Sequence, residues 1–184
     1  MTLRNNHERY GTLSVSLHWL MAVMLIAIYV TMNLHESFPK GSAMRSGLKT
    51  WHYMLGLSVL VLALFRFVWN MMSTAPSIVP TPPKWQTMLA KLMHLALYAL
   101  MIAMPIAGWL ILSGEGDPIP FWGLELPALM APNESLADAI QEAHEAGATI
   151  GYFLIGLHAI AGLYHHYVVR DNTLRRMLPQ HGKE

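Results

Sequence analysis

Four long apolar stretches, none of them carrying more than one charge, constrain this chain more than any other feature it has. A helix needs about 20 residues at 1.5 Å each to cross roughly 30 Å of hydrocarbon. The stretches cover about residues 15–35, 51–71, 89–112 and 146–169; the second contains Arg66 and the third Pro105. Charged residues make up only 12% of the 184 positions, about half the share of a soluble domain, so a water-facing surface could not be completed. The pattern predicts an all-α membrane protein, a single domain over residues 1–184 built as a four-transmembrane-helix bundle in contact with membrane lipids. The first 16 residues are too polar for a cleaved leader, so the first span is expected to remain in the protein.

The connections fit this reading. Residues 37–49 read as a short polar loop, and STAPSIVPTPPK (73–84) is too rich in proline to be helical. Residues 114–132 carry Gly, Pro and acids, and residues 133–145 read as a short surface helix capped by Asn133 or Ser135. An even number of spans puts both termini on one side. The termini, the second connection and the inner end of the second span hold Arg4, Arg9, Arg66, Lys84, Lys91, Arg170, Arg175, Arg176 and Lys183. The other side has only Lys40, Arg45 and Lys49, so both termini are expected to be cytoplasmic.

There is no cysteine, which excludes disulfides, iron–sulfur clusters, Cys-type zinc sites and covalent c-type haem. A redox metal must then rest on His, Met or carboxylates. His18 lies near the cytoplasmic start of the first span, His52 at the outer start of the second, His144 just before the fourth and His158 inside it. His144 and His158 are 14 residues apart, about 1400° of helix, so both rings share one face at depths about 21 Å apart. Topology supplies a partner at each depth: His18 for His158 and His52 for His144. Four intramembrane histidines that pair by depth and face point to two stacked b-type haems with bis-imidazole ligation, which suits electron transfer. The competing account of each histidine alone is a hydrogen bond between helices.

Further residues carry weaker signals. Arg66 lies 14 residues after His52 and would either pair with a haem propionate near the inner pair or snorkel to the headgroups. His94 opens the third span as a competing ligand, a propionate partner or a proton acceptor in a quinone pocket. His165 falls on nearly the same face as His158, close to the cytoplasmic exit, and with His166 could carry quinone-linked protons. Ser16 is a hydroxyl near His18. Gly56, Gly108, Gly151 and Gly162 could make room for a flat macrocycle, although small residues also mark close helix packing. His7, His35 and His181 read as solvated loop or tail residues. No Walker loop, dinucleotide fingerprint, HExxH or nucleophile elbow is present, and no nucleic-acid partner is expected.

Nearly the whole chain resembles the bacterial cytochrome b561 family, which is related to the membrane cytochrome b subunits of hydrogenases and formate dehydrogenases. The resemblance rests on SVSLHWL with His18, WHYMLGL with His52, PTPPK, HLALYALMIAMPIAGW with His94, and AHEAGATIGYFLIGLHAIAGLYHHYVVRDNTLRRMLP with His144, His158, His165 and His166. It implies two haem b groups, His18/His158 holding the inner one and His52/His144 the outer one. It also implies a multi-pass protein of the bacterial inner membrane that exchanges electrons with ubiquinone. Stand-alone members are described as superoxide oxidases, which oxidise periplasmic superoxide and reduce ubiquinone on the cytoplasmic side. On that reading Lys40, Arg45 and Lys49, just before His52, would steer the superoxide anion, against the opposing field of seven acids in the third connection. His94, His165 and Ser16 are the expected quinone contacts.

Two other functions compete with this oxidoreductase. One is an electron-relay subunit linking quinone to a periplasmic dehydrogenase or hydrogenase, a redox partner for which the short loops leave little surface. The other is a His-lined metal or proton transporter.

Overall fold

The computed structural model describes residues 3–178. Four long helices dominate it: α1 (Thr12–His35), α2 (Ala43–Met71), α3 (Lys84–Glu115) and α4 (Glu134–Tyr164). All four are long and apolar enough to cross a membrane. The protein is a four-span helical bundle, as expected from its apolar stretches. Backbone groups have no water to bond in hydrocarbon, so uninterrupted helices are the low-energy solution. Pro105 is accommodated inside α3 without ending it.

Two helices start earlier than hydropathy suggests. α2 begins at Ala43, with the Ser42 hydroxyl accepting from the Arg45 amide, so Arg45 and Lys49 are helical and the loop is shorter than residues 37–49. The stretch 133–145 is no separate surface helix: Asn133 caps α4 itself, its side chain accepting from the Leu136 amide. His144 therefore lies inside α4, not just before it. Water ends a hydrophobic stretch but does not end a helix, and both extensions are solvated turns continuing a span.

The connection after α3 contains a hairpin. β1 (Ile119–Phe121) pairs antiparallel with β2 (Leu124–Leu126), Phe121 opposite Leu124. Trp122 (φ 50°) and Gly123 (φ 85°) form its two-residue turn, and positive φ at both centres matches the right-handed twist of paired strands. Ile119 packs with Leu57 and Leu112, and Trp122 Nε1 donates to Ser58 Oγ at 2.9 Å, fastening the hairpin over α2 and α3.

Both described ends of the chain meet the α2–α3 connection on one side, called here the terminal side; the hairpin lies on the far side. Ser77 N donates to His7 O (2.9 Å), and Asn172 N donates to Val79 O (3.2 Å). After α4 a π-helical turn (His165–Val169), a left-handed Arg170 (φ 61°) and a 3-10 turn (Arg175–Met177) fold the chain back across this side. His181 and Lys183 lie outside the described residues.

Candidate functional site

α4 presents two histidines; His144 meets one ring from another helix, and His158 meets two. The ring centres of His18 on α1 and His158 are 6.1 Å apart, with planes crossing at 69°. Those of His52 on α2 and His144 are 6.2 Å apart, crossing at 70°. Two imidazoles sharing one metal ion through nitrogens about 2.0 Å from it place their ring centres roughly 6 Å apart. Both spacings fit, and the pairing is the one expected from depth and face. Among the described residues no cluster of three or more His, Cys, Asp or Glu surrounds a common point. The donors come in pairs, which suits an iron whose remaining positions are filled by a porphyrin.

The bundle leaves room where the pairs lie. Its close-packed backbones are α1 with α2, α2 with α3, and α3 with α4. The histidine pairs instead join α1 to α4 and α2 to α4. Gly56 lies one turn from His52 on the same face, and Gly162 one turn beyond His158; an added Cβ at either meets nothing within 4 Å. Gly108 faces His144, whose Cε1 would lie 3.6 Å from such a Cβ. Gly151 serves a different purpose. Its missing side chain admits the Tyr29 hydroxyl, which donates to the Ala148 carbonyl at 2.9 Å midway between the two pairs.

The second nitrogens differ. His52 Nδ1 lies 3.3 Å from the Ile28 carbonyl, an acceptor that holds the proton on Nδ1 and leaves Nε2 as the metal donor. The Nδ1 atoms of His18 and His144 are buried without a hydrogen bond, although the Met104 carbonyl sits near the His144 ring. Ser16 does not supply the missing acceptor; it is exposed, and the buried hydroxyl here is Ser14, bonded to Asn5 Oδ1 (2.7 Å) and by Trp69 Nε1 (2.9 Å).

Charge and further rings gather around the terminal-side pair. Arg66 is within electrostatic reach of His18, His94 and His158, and its Nε is buried with no hydrogen-bond partner. A buried guanidinium lacking an acceptor fits a propionate carboxylate. His94 stands 5.6 Å from His158, ring centre to ring centre, and keeps surface exposed at the edge of the bundle.

His165 is turned away from such company. Its Nδ1 lies 2.5 Å from Asp171 Oδ2, and Asp171 is buried, its other oxygen accepting from the Thr173 amide at 2.8 Å. Burial alone would raise the Asp171 carboxyl, but the hydrogen bonds from His165 and Thr173 outweigh it and hold it below the ordinary carboxylate value. Sequence reading missed Asp171; its six-residue offset from His165 fits no helical face, and only the π turn with left-handed Arg170 closes the pair.

The three far-side cations are placed unlike one another. Arg45 turns inward, donating to the carbonyls of Phe38 (2.9 Å) and His35 (3.3 Å) and pairing with Glu36. Lys49 lies against the Tyr53 hydroxyl, and Lys40 is exposed. His35, expected to be solvated, is buried at the end of α1; its Nδ1 is 2.9 Å from Glu36 Oε1, without the alignment of a hydrogen bond.

Comparison with known proteins gives a consistent picture. The family model described as prokaryotic cytochrome b561 matches residues 9–180. Cytochrome b561 homolog 1 of Escherichia coli (strain K12) is 38% identical, over 94% of this chain and 98% of its own length. A probable superoxide oxidase, CybB, of Yersinia pestis is 36% identical over 95% of this chain and 98% of its own. Cytochrome b561 homolog 2 of Escherichia coli (strain K12) is 30% identical over 97% and 95%.

Proposed function

Because the chain belongs to the prokaryotic cytochrome b561 family, whose members transfer electrons within the membrane using haem b, we propose that it is a di-haem superoxide:ubiquinone oxidoreductase. The overall reaction oxidises two superoxide anions to dioxygen and reduces one ubiquinone, with two protons, to ubiquinol. The excess of Lys and Arg on the terminal side supports a cytoplasmic position for that side, and so a periplasmic position for the hairpin. The name carried by the Yersinia pestis relative supports superoxide as donor.

The observation that carries this reading is the pair of imidazole couples, 6.1 and 6.2 Å across, at the two depths of α4. Haem b, when bound between them, would supply a one-electron ferric–ferrous change. His18 and His158 would hold one group and His52 and His144 the other, while Arg66 neutralises a propionate beside the terminal-side pair. Lys40 and Lys49 are the far-side cations left to attract superoxide; Arg45 braces the loop instead. On the terminal side His94 keeps exposed surface next to His158, as a quinone contact requires. His165 donates Nδ1–H to Asp171, which leaves Nε2 to hold the proton that the quinone takes up. Ser16 is accessible to a quinone at the same end.

The test is a reduced-minus-oxidised spectrum with haem stoichiometry, followed by superoxide-driven ubiquinone reduction by the purified protein. Two b haems per chain and superoxide-dependent quinol formation are expected. A preparation without Soret absorption would sink the proposal. Two haems reduced by quinol but not by superoxide would favour the relay subunit.

A further inference from the structure

Away from the histidine pairs, on the terminal side, Glu8, Arg9, Asn172, Arg175 and Arg176 line a cavity of about 290 Å³. Its wall is a built scaffold. Arg176 is only 9% exposed, donates through Nη1 to the Pro76 carbonyl and stacks its guanidinium 5.6 Å from the Tyr10 ring centre. Asn172 ties the C-terminal segment to the α2–α3 connection, Oδ1 accepting from Val79 N (2.9 Å) and Nδ2 donating to Ser77 O (3.2 Å). Three arginines and one carboxylate, Glu8, thus line a cavity whose framework is hydrogen-bonded. Asp171, behind Arg176, is engaged by His165. Planar, forked donors of net positive charge match the oxygens of a phosphate group.

The depth of the cavity narrows the choice of anion. Trp19 Nε1 donates to the Met177 carbonyl at 2.6 Å, and Trp19 lies seven residues into α1, about 10 Å along it. The turn carrying Arg175 and Arg176 therefore runs beside the first two turns of a membrane span, at the level of the headgroups. Val79, bonded to Asn172, and Leu178, directly after the turn, expose apolar surface beside the cavity. We propose that the cavity binds a phosphate-class anion, supplied by the headgroup of an anionic phospholipid whose acyl chains lie along this apolar flank. A free phosphate would have to leave water for the interface and would leave the flank uncovered. The site is independent of the electron donor.

The haem-loaded full chain, delipidated in neutral detergent, is titrated with phosphatidylglycerol, phosphatidylcholine or inorganic phosphate, and retained ligand is read by native mass spectrometry. One phosphatidylglycerol per chain is expected, with phosphatidylcholine and inorganic phosphate each held at least about tenfold more weakly. Arg175→Gln, on an exposed side chain, should weaken retention about fivefold, and Arg9→Gln with Arg175→Gln roughly twentyfold, the Soret spectrum staying unchanged. Equal retention of the two lipids, or equal retention by variants and parent, overturns the site. Inorganic phosphate bound as tightly as the lipid overturns the lipid as its source.

Discussion

The two histidine pairs have nearly the same ring separation but unlike surroundings. On the far side His52 is oriented by a backbone carbonyl, and the hairpin closes over the helix ends nearby. On the terminal side His18 has no acceptor at Nδ1, a third ring stands against His158, and the Arg66 guanidinium is buried nearby. An oriented imidazole is the more basic ligand, which favours ferric iron, whereas a neighbouring cation favours the ferrous state. On the di-haem reading proposed above, the difference would incline electrons toward the terminal side.

Removing ligands tests the comparison most severely. His144→Ala should lower the content from two haems to about one by emptying the far-side pair, and His18→Ala should do so at the terminal side. Redox titration of the two variants distinguishes the remaining groups. If both lose the same group, the pairing is broken.

Gly151→Ala probes the boundary between the pairs. The new methyl group meets the Tyr29 hydroxyl and Leu100, so overpacking should cost about 1–3 kcal/mol, read as a lower midpoint for thermal loss of the Soret band. Both haems should be released together. Release of one alone would show that Tyr29 belongs to a single pair.

Asp171→Asn sharpens the terminal side only. Losing a charged, buried hydrogen bond should reduce protection of the amides in residues 170–177 by about 1–3 kcal/mol at pH 7, measured by hydrogen exchange. The folded carboxyl titrates below its unfolded value of about 3.9, so its contribution is complete above that pH. The gap between parent and variant should therefore be constant near neutrality and close as pH falls through the depressed folded value. A gap that widens in acid would reverse the sign assigned to this pair.

The smallest effect belongs to the far-side cations. Lys40→Gln with Lys49→Gln should slow superoxide-driven turnover about threefold at low ionic strength and leave it unaltered in high salt. Arg45→Gln should change stability more than rate. A salt-independent loss of rate in the lysine variant would remove steering from the account.

Much of the histidine arrangement could be read along the chain because membrane helices carry strict periodicity. Fourteen residues from His144 to His158, and again from His52 to Arg66, place side chains on one face whatever the packing. The extended starts of α2 and α4 could not be read from hydropathy, since Arg45, Lys49 and the acids before His144 are solvated turns of continuous helices. Ser14 and Ser16 lie four and two residues before His18, and only packing buries the first and exposes the second. Gly151 looked like space for a macrocycle and proved to be space for Tyr29, because that ring comes from another helix.

By itself the sequence determined four spans, a common side for both ends, the histidines' shared face and their depths. These follow from the hydrocarbon thickness and the fixed rise and turn of a helix, which act on each segment separately. Tertiary structure alone decided which helices stand apart, where Arg45 and His165 find partners, and how the hairpin and the C-terminal turn close the two ends. Such contacts join residues distant in sequence through irregular backbone, where no period exists to be read.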